Sequence, residues 1–168
     1  GLGELEFNND GTKMYFIDGA ENPTVDEYNL TTAFDISTRS LINSTTLSAD
    51  IGGSASGAVV GFAFNDTGTG MHVLLQDTKR GGFNDTIFQY RLTVAFDTST
   101  AVFVGKADLD SGLKLGTFKN ESGVNVSHIL SGLIFDATGS KMYITNDGGQ
   151  DHAHQISLPC SFGVAVCM

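Results

Sequence analysis

The strongest constraint on this chain is a repeat. The run Gly3-Glu-Leu-Glu-Phe7-Asn-Asn-Asp-Gly11-Thr-Lys-Met14 returns as Gly61-Phe-Ala-Phe64-Asn-Asp-Thr-Gly68-Thr-Gly-Met71, and again as Gly132-Leu-Ile-Phe135-Asp-Ala-Thr-Gly139-Ser-Lys-Met142. A second half follows each copy. Val25-Asp-Glu-Tyr28-Asn-Leu30 with Phe34-Asp-Ile-Ser-Thr38 matches Ile87-Phe-Gln-Tyr90-Arg-Leu92 with Phe96-Asp-Thr-Ser-Thr100, and Ile156, Leu158 and Phe162 stand at the Tyr, Leu and Phe positions of the third copy. Units of this kind cannot bury their apolar faces alone, so three of them must stack.

Each copy reads as a small antiparallel sheet. An apolar strand ends at Phe7, Phe64 or Phe135, a tight turn follows, and a second strand begins at Met14, Met71 or Met142. Gly11, Gly68 and Gly139 fall where such a turn needs positive φ, and Asp10, Asp66 and Asp136 are suited to bonding the turn backbone. Tyr28 and Leu30, like Tyr90 and Leu92, are two apart and share one face of a third strand. Residues from Ser37 to Leu47 and from Ser99 to Leu109 fit an outer, half-exposed fourth strand. The expected fold is all-β: three four-stranded antiparallel units, approximately 1–58, 59–129 and 130–168, in one domain. The three Phe and three Met are expected at equivalent buried positions.

The pattern Phe-x-x-Asp-Gly-Thr-Lys-Met-Tyr, then Val-x-x-Tyr-x-Leu and Phe-Asp-Ile-Ser-Thr, resembles the blade repeats of WD40-like and YVTN-like β-propeller proteins. The resemblance implies four-stranded blades around an axis, but no particular activity. A closed propeller takes about four to eight blades. Three are too few, so the set is incomplete, completed by association into a homo-oligomer or polymer, or open with its edges covered. The segment from Lys106 to Val126 is a candidate cover.

Nine Lys and Arg against nineteen Asp and Glu give a net charge of −10. That argues against nucleic acid, whose affinity rests on cations. No apolar run approaches the roughly twenty residues of a membrane helix. A start at Gly1 without a signal-like run suggests a processed or excised segment.

Six Asn-x-Ser/Thr sequons occur, at Asn29, Asn43, Asn65, Asn84, Asn120 and Asn125. Chance placement would give about two. The excess points to a secreted or surface glycoprotein, extracellular or on a cell or virion surface, although Asn, Ser and Thr also meet in turns for structural reasons. Cys160 and Cys167 could form a short terminal disulfide or stand as two small buried thiols.

Chemistry-bearing clusters are sparse. His72 takes the place of a strand Tyr and reads as a core histidine, and His128 has no evident partner. His152 and His154 share a strand face next to Asp147 and Asp151 and form the best metal candidate. Asp108, Asp110 and Gly112 resemble the start of a calcium loop without its later acidic ligand. No nucleophile elbow, Walker motif or dinucleotide fingerprint occurs, so neither catalytic residues nor a cofactor are expected. The leading expectation is a non-catalytic protein that builds an extracellular filament or coat by packing repeats between copies. The alternatives are a propeller-type binding module for a glycan or protein ligand, and a lactonase-like metal-dependent hydrolase.

Overall fold

A computed structural model describes residues 3–18, 23–47, 51, 57–77, 85–109, 130–146, 152–164 and 167, and every structural statement below concerns these. They form three separate antiparallel sheets, none closed into a barrel. The first holds β1 (Glu4–Phe7), β2 (Lys13–Asp18), β3 (Thr24–Leu30) and β4 (Arg39–Thr46) in sequence order. The second repeats this with β5 (Gly57–Phe64), β6 (Gly70–Asp77), β7 (Thr86–Leu92) and β8 (Ala101–Asp108). The third has three strands rather than the expected four: β9 (Leu130–Phe135), β10 (Lys141–Asn146) and β11 (His152–Ser157). The fourth strands start at Arg39 and Ala101, and the corresponding position in the third sheet is Cys167.

Register confirms the repeat residue by residue. Phe7, Phe64 and Phe135 pair with Met14, Met71 and Met142, which pair in turn with Tyr28, Tyr90 and Ile156. The three Met are buried, whereas the three Phe are only half-buried. Each Phe instead packs against the aromatic ring that follows the third strand, at a centroid separation of 5.4 Å in all three copies: Phe7 with Phe34, Phe64 with Phe96, Phe135 with Phe162.

That second ring explains the glycines. Phe34, Phe96 and Phe162 have φ of 61°, 58° and 53°, and their N–H groups donate to the carbonyls of Gly11, Gly68 and Gly139 at 2.9, 2.9 and 2.7 Å. The ring lies so close over its glycine that an added Cβ would penetrate it, and each glycine also has positive φ. Both requirements exclude a side chain there. The expectation for the turn acids holds for Asp10 and Asp136, which accept from the Thr12 and Lys141 N–H groups, and in every copy one side chain closes the turn from the same position. The equivalent residues are Asn8, Asn65 and Asp136, whose Oδ1 atoms accept from the N–H of Lys13, Gly70 and Lys141 at 2.9, 2.9 and 2.8 Å. Asp10 also accepts from the Thr12 hydroxyl at 2.6 Å, whereas Asp66 contributes its backbone carbonyl to Asn9.

The sheets stack in chain order, with β1 beside β5 and β5 beside β9. Two apolar clusters fill the junctions. Tyr15, Ile17 and Val25 of the first sheet meet Phe62, Met71, Val73, Phe88 and Tyr90 of the second. Ala63, Leu74 and Ile87 from its other face meet Leu133, Met142, Ile144 and Ile156 of the third. The middle sheet is therefore apolar on both faces, as a strand sandwiched between layers must be. Among the described residues no helix is long and apolar enough to cross a membrane.

Candidate functional site

The chemistry that joins one sheet to the next is the most specific feature of the molecule. At the first junction, Tyr15 Oη donates to the Phe96 carbonyl at 2.7 Å, and Lys13 Nζ donates to the same oxygen at 2.8 Å. Burial, reinforced by nearby carboxylates, pushes the Tyr15 hydroxyl well above its usual range, so it remains a donor. Glu27, only 1% exposed, accepts at Oε2 from the Thr98 N–H and hydroxyl, both at 2.9 Å, while Lys13 meets its Oε1 at 2.5 Å. A buried carboxylate is tolerated because both of its oxygens face donors. Asn43 Nδ2 adds a bond to Thr98 Oγ1 at 3.1 Å.

The second junction uses the same positions with neutral groups. His72 replaces Tyr15, and its Nε2 lies 2.9 Å from the Phe162 carbonyl. A carbonyl can only accept, so Nε2 carries the proton. Gln89 replaces Glu27 and accepts from the Val164 N–H at 3.2 Å. Gly70 stands where Lys13 stood. The charge and its counter-charge are thus exchanged together. His72 is fully buried against Phe135 at 4.6 Å, and burial pushes its pKa down to about 4, so it is neutral at pH 7. It is a core histidine that also links two sheets.

The two end faces of the stack carry the same positions without a neighbour among the described residues. On the third sheet, Lys141, Tyr143 and Gln155 occupy the places of Lys13, Tyr15 and Glu27, with Ile134 beside them 64% exposed. On the first sheet, the Phe34 carbonyl and the Ile36 N–H occupy the places of those at Phe96 and Thr98. Phe34 is 59% exposed, and Leu5, Phe16 and Leu41 leave much of the same face in solvent. Their counterparts Phe62 and Val73 in the second sheet lie inside a buried junction.

A cavity of about 270 Å³ opens where the first strands of all three sheets meet their turns. Its polar lining includes Glu6, Asn9, Asp66 and Asp136, over an apolar floor of Phe64 and Phe135. Asn9 Nδ2 donates to the Asp66 carbonyl at 2.7 Å, tying two turns together at its rim. Burial, with Glu4 nearby, pushes the Glu6 carboxyl up to about 7, so near neutral pH it can either donate or accept a hydrogen bond.

The remaining candidates are dispersed. Asn29 is exposed on β3. Asn43 is engaged at the first junction, and Asn65 holds its turn by accepting from Gly70. Asn84, Asn120 and Asn125 lie outside the described residues, as do Asp110, Gly112, His128, Asp147, Asp151 and most of the segment from Lys106 to Val126. Cys160 and Cys167 are bonded, with Cα atoms 5.7 Å apart. The bridge spans the corner that the Thr38 and Thr100 hydroxyls hold in the first two copies, where they accept from the Thr32 and Val94 N–H groups at 3.2 Å. His154 pairs with Ile144 in β11, at the register position of Asp26 and Phe88. Among the described residues no three His, Cys, Asp or Glu side chains gather closely enough to hold a metal. The junction residues escaped the sequence reading, although Lys13, Lys141, Tyr15 and Tyr143 stood in equivalent places within the repeat. No protein-family model, curated protein or solved structure matches this chain.

Proposed function

We propose that this protein is a non-catalytic, secreted or surface glycoprotein that builds an extracellular assembly, a filament or coat, by packing its propeller-like repeats between copies. The observation that carries this reading is the pair of end faces. One bears unused copies of the groups that donate and accept at the internal junctions, the other bears unused copies of the backbone groups that receive them, and apolar side chains accompany both. Exposed apolar patches with this organisation mark interaction surfaces. The sequon excess and the exposure of Asn29 support a glycoprotein. Sedimentation of the purified protein across a wide concentration range, with electron microscopy of the heavy fraction, tests the assembly. Concentration-dependent, regular particles are expected, and a monomer at every concentration refutes it.

The cavity favours a second reading, a binding module for a glycan or protein ligand. Its mixture of Glu6, Asn9 and two aspartates above aromatic rings suits hydroxyl-rich or amide-bearing ligands. Glycan-array binding that disappears in Glu6→Ala while assembly is retained would favour this reading.

A further inference from the structure

We infer that the outer face of the third sheet docks on the outer face of the first sheet of a second copy, reproducing between molecules the junction that joins successive sheets within one. The inference rests on the assembly reading above and names its contact. It concerns sheet faces rather than strand edges.

The internal junctions define what one sheet presents to the next. The presenting face offers an aromatic or imidazole donor and a carboxylate or amide acceptor. The receiving face offers the carbonyl of a positive-φ Phe and the N–H two residues further on. Tyr15 with Glu27 meets Phe96 and Thr98, and His72 with Gln89 meets Phe162 and Val164. Two junctions with different side chains keep the same four roles, so the roles belong to the interface and not to one pair of residues.

At the open ends the roles remain filled. Tyr143 takes the donor position and Gln155 the acceptor position, with Lys141 where Lys13 supports the first junction. Phe34, with φ of 61°, and Ile36 supply the carbonyl and N–H on the receiving side. Gln155 is neutral like Gln89, which met its N–H partner without a cation. The apolar complement is present too. Leu5, Phe7, Met14, Phe16 and Tyr28 stand where Phe62, Phe64, Met71, Val73 and Tyr90 line the first junction. The presenting face of the third sheet is more polar, with Thr145 and Ala153 where the first sheet has Ile17 and Val25. A junction between copies is consequently weaker than those within a copy and depends on concentration.

Such a contact is head-to-tail. It closes when the accumulated rotation returns to the start and otherwise continues as a filament. Two copies bring six sheets, inside the range of about four to eight at which blade rings close, and three copies exceed it.

The test uses two variants whose changes lie on exposed or half-buried positions of opposite end faces. Leu5→Glu with Phe16→Glu disables the receiving face, and Tyr143→Glu with Ile134→Glu disables the presenting face. Circular dichroism and thermal unfolding verify that both fold. In analytical ultracentrifugation each variant alone is expected to lose association by roughly a hundredfold. Their equimolar mixture should form a 1:1 complex of about twice 17.7 kDa and no larger, because each pair retains one intact junction. If the wild type associates but both variants associate equally well, or the mixture gives no complex, the face-to-face contact is wrong while assembly itself stands. If the wild type never associates, both fall.

Discussion

Acid should weaken the protein through one residue, His72. Its ring is fully buried between the second and third sheets, donates from Nε2 to the Phe162 carbonyl, and has no partner at Nδ1 among the described residues. Protonation would place a positive charge with one unsatisfied N–H against the Phe135 ring. The folded pKa, pushed down by burial to about 4, lies below the ordinary 6.5. The unfolded chain therefore binds more protons between those values, and stability present above pH 6.5 is lost as pH falls toward 4. At about 1.4 kcal/mol per pK unit the total is roughly 3 kcal/mol, with nearly half gone by about pH 5.5. Glu6 acts in the opposite sense. Its folded pKa is raised to about 7 from 4.5, so its contribution is full in acid and is lost as pH rises through 7. Because Glu6 is partly solvated, its share is the smaller.

The two opposing effects flatten the wild-type curve, so a variant must isolate His72. His72→Gln can reach the same carbonyl with an amide N–H and does not titrate. Urea unfolding from pH 4 to 7.5, followed by far-UV circular dichroism or by the four tyrosines in a chain without Trp, gives the difference directly. The variant should be less stable than wild type near pH 7, by about 1 kcal/mol from poorer packing on Phe135, and more stable near pH 4 by about 2 kcal/mol. If the two pH profiles run parallel within about 0.5 kcal/mol, or if His72 titrates near 6.5 by NMR, the burial argument is wrong.

Gly68→Ala should cost about 2–4 kcal/mol in chemical denaturation, since it combines positive φ with collision against Phe96, a ring packed in the first junction. Gly11→Ala should cost less, because Phe34 is exposed and can swing away; equal losses would contradict the role assigned to the junction. Glu27→Ala should destabilise by about 3 kcal/mol by stranding the Thr98 N–H and Lys13. Lys13→Gly with Glu27→Gln, which copies the second junction, should recover part of that loss, and a double-mutant cycle showing no coupling would refute the linked exchange. In protein made by a glycosylating host, peptide mass spectrometry should find glycan on exposed Asn29 and none on Asn43, whose Nδ2 is committed to Thr98. The reverse pattern would show that the junction around Asn43 is not formed as described.

The local rules of the fold were present in the chain order itself. Phe7 and its two copies, four residues ahead of a glycine and seven ahead of a methionine, specify a strand, a turn that requires positive φ, and a buried return strand; these depend on covalent geometry and near neighbours. The second half of the repeat places Tyr28, Tyr90 and Ile156 against those methionines by strand alternation alone. What lay beyond sequence reading was which face of a sheet meets which neighbour. Asn65 rather than Asp66 bonds the second turn, and Glu27 is buried, because each depends on backbone groups placed there by register or by another sheet. His72 could be recognised as a core residue from its strand, but its link to Phe162, ninety positions away, exists only once the second and third sheets are stacked. Alternation along a strand is a property of the chain. The junctions, the cavity and the two open faces arise from contacts between units, whose partners no local pattern encodes.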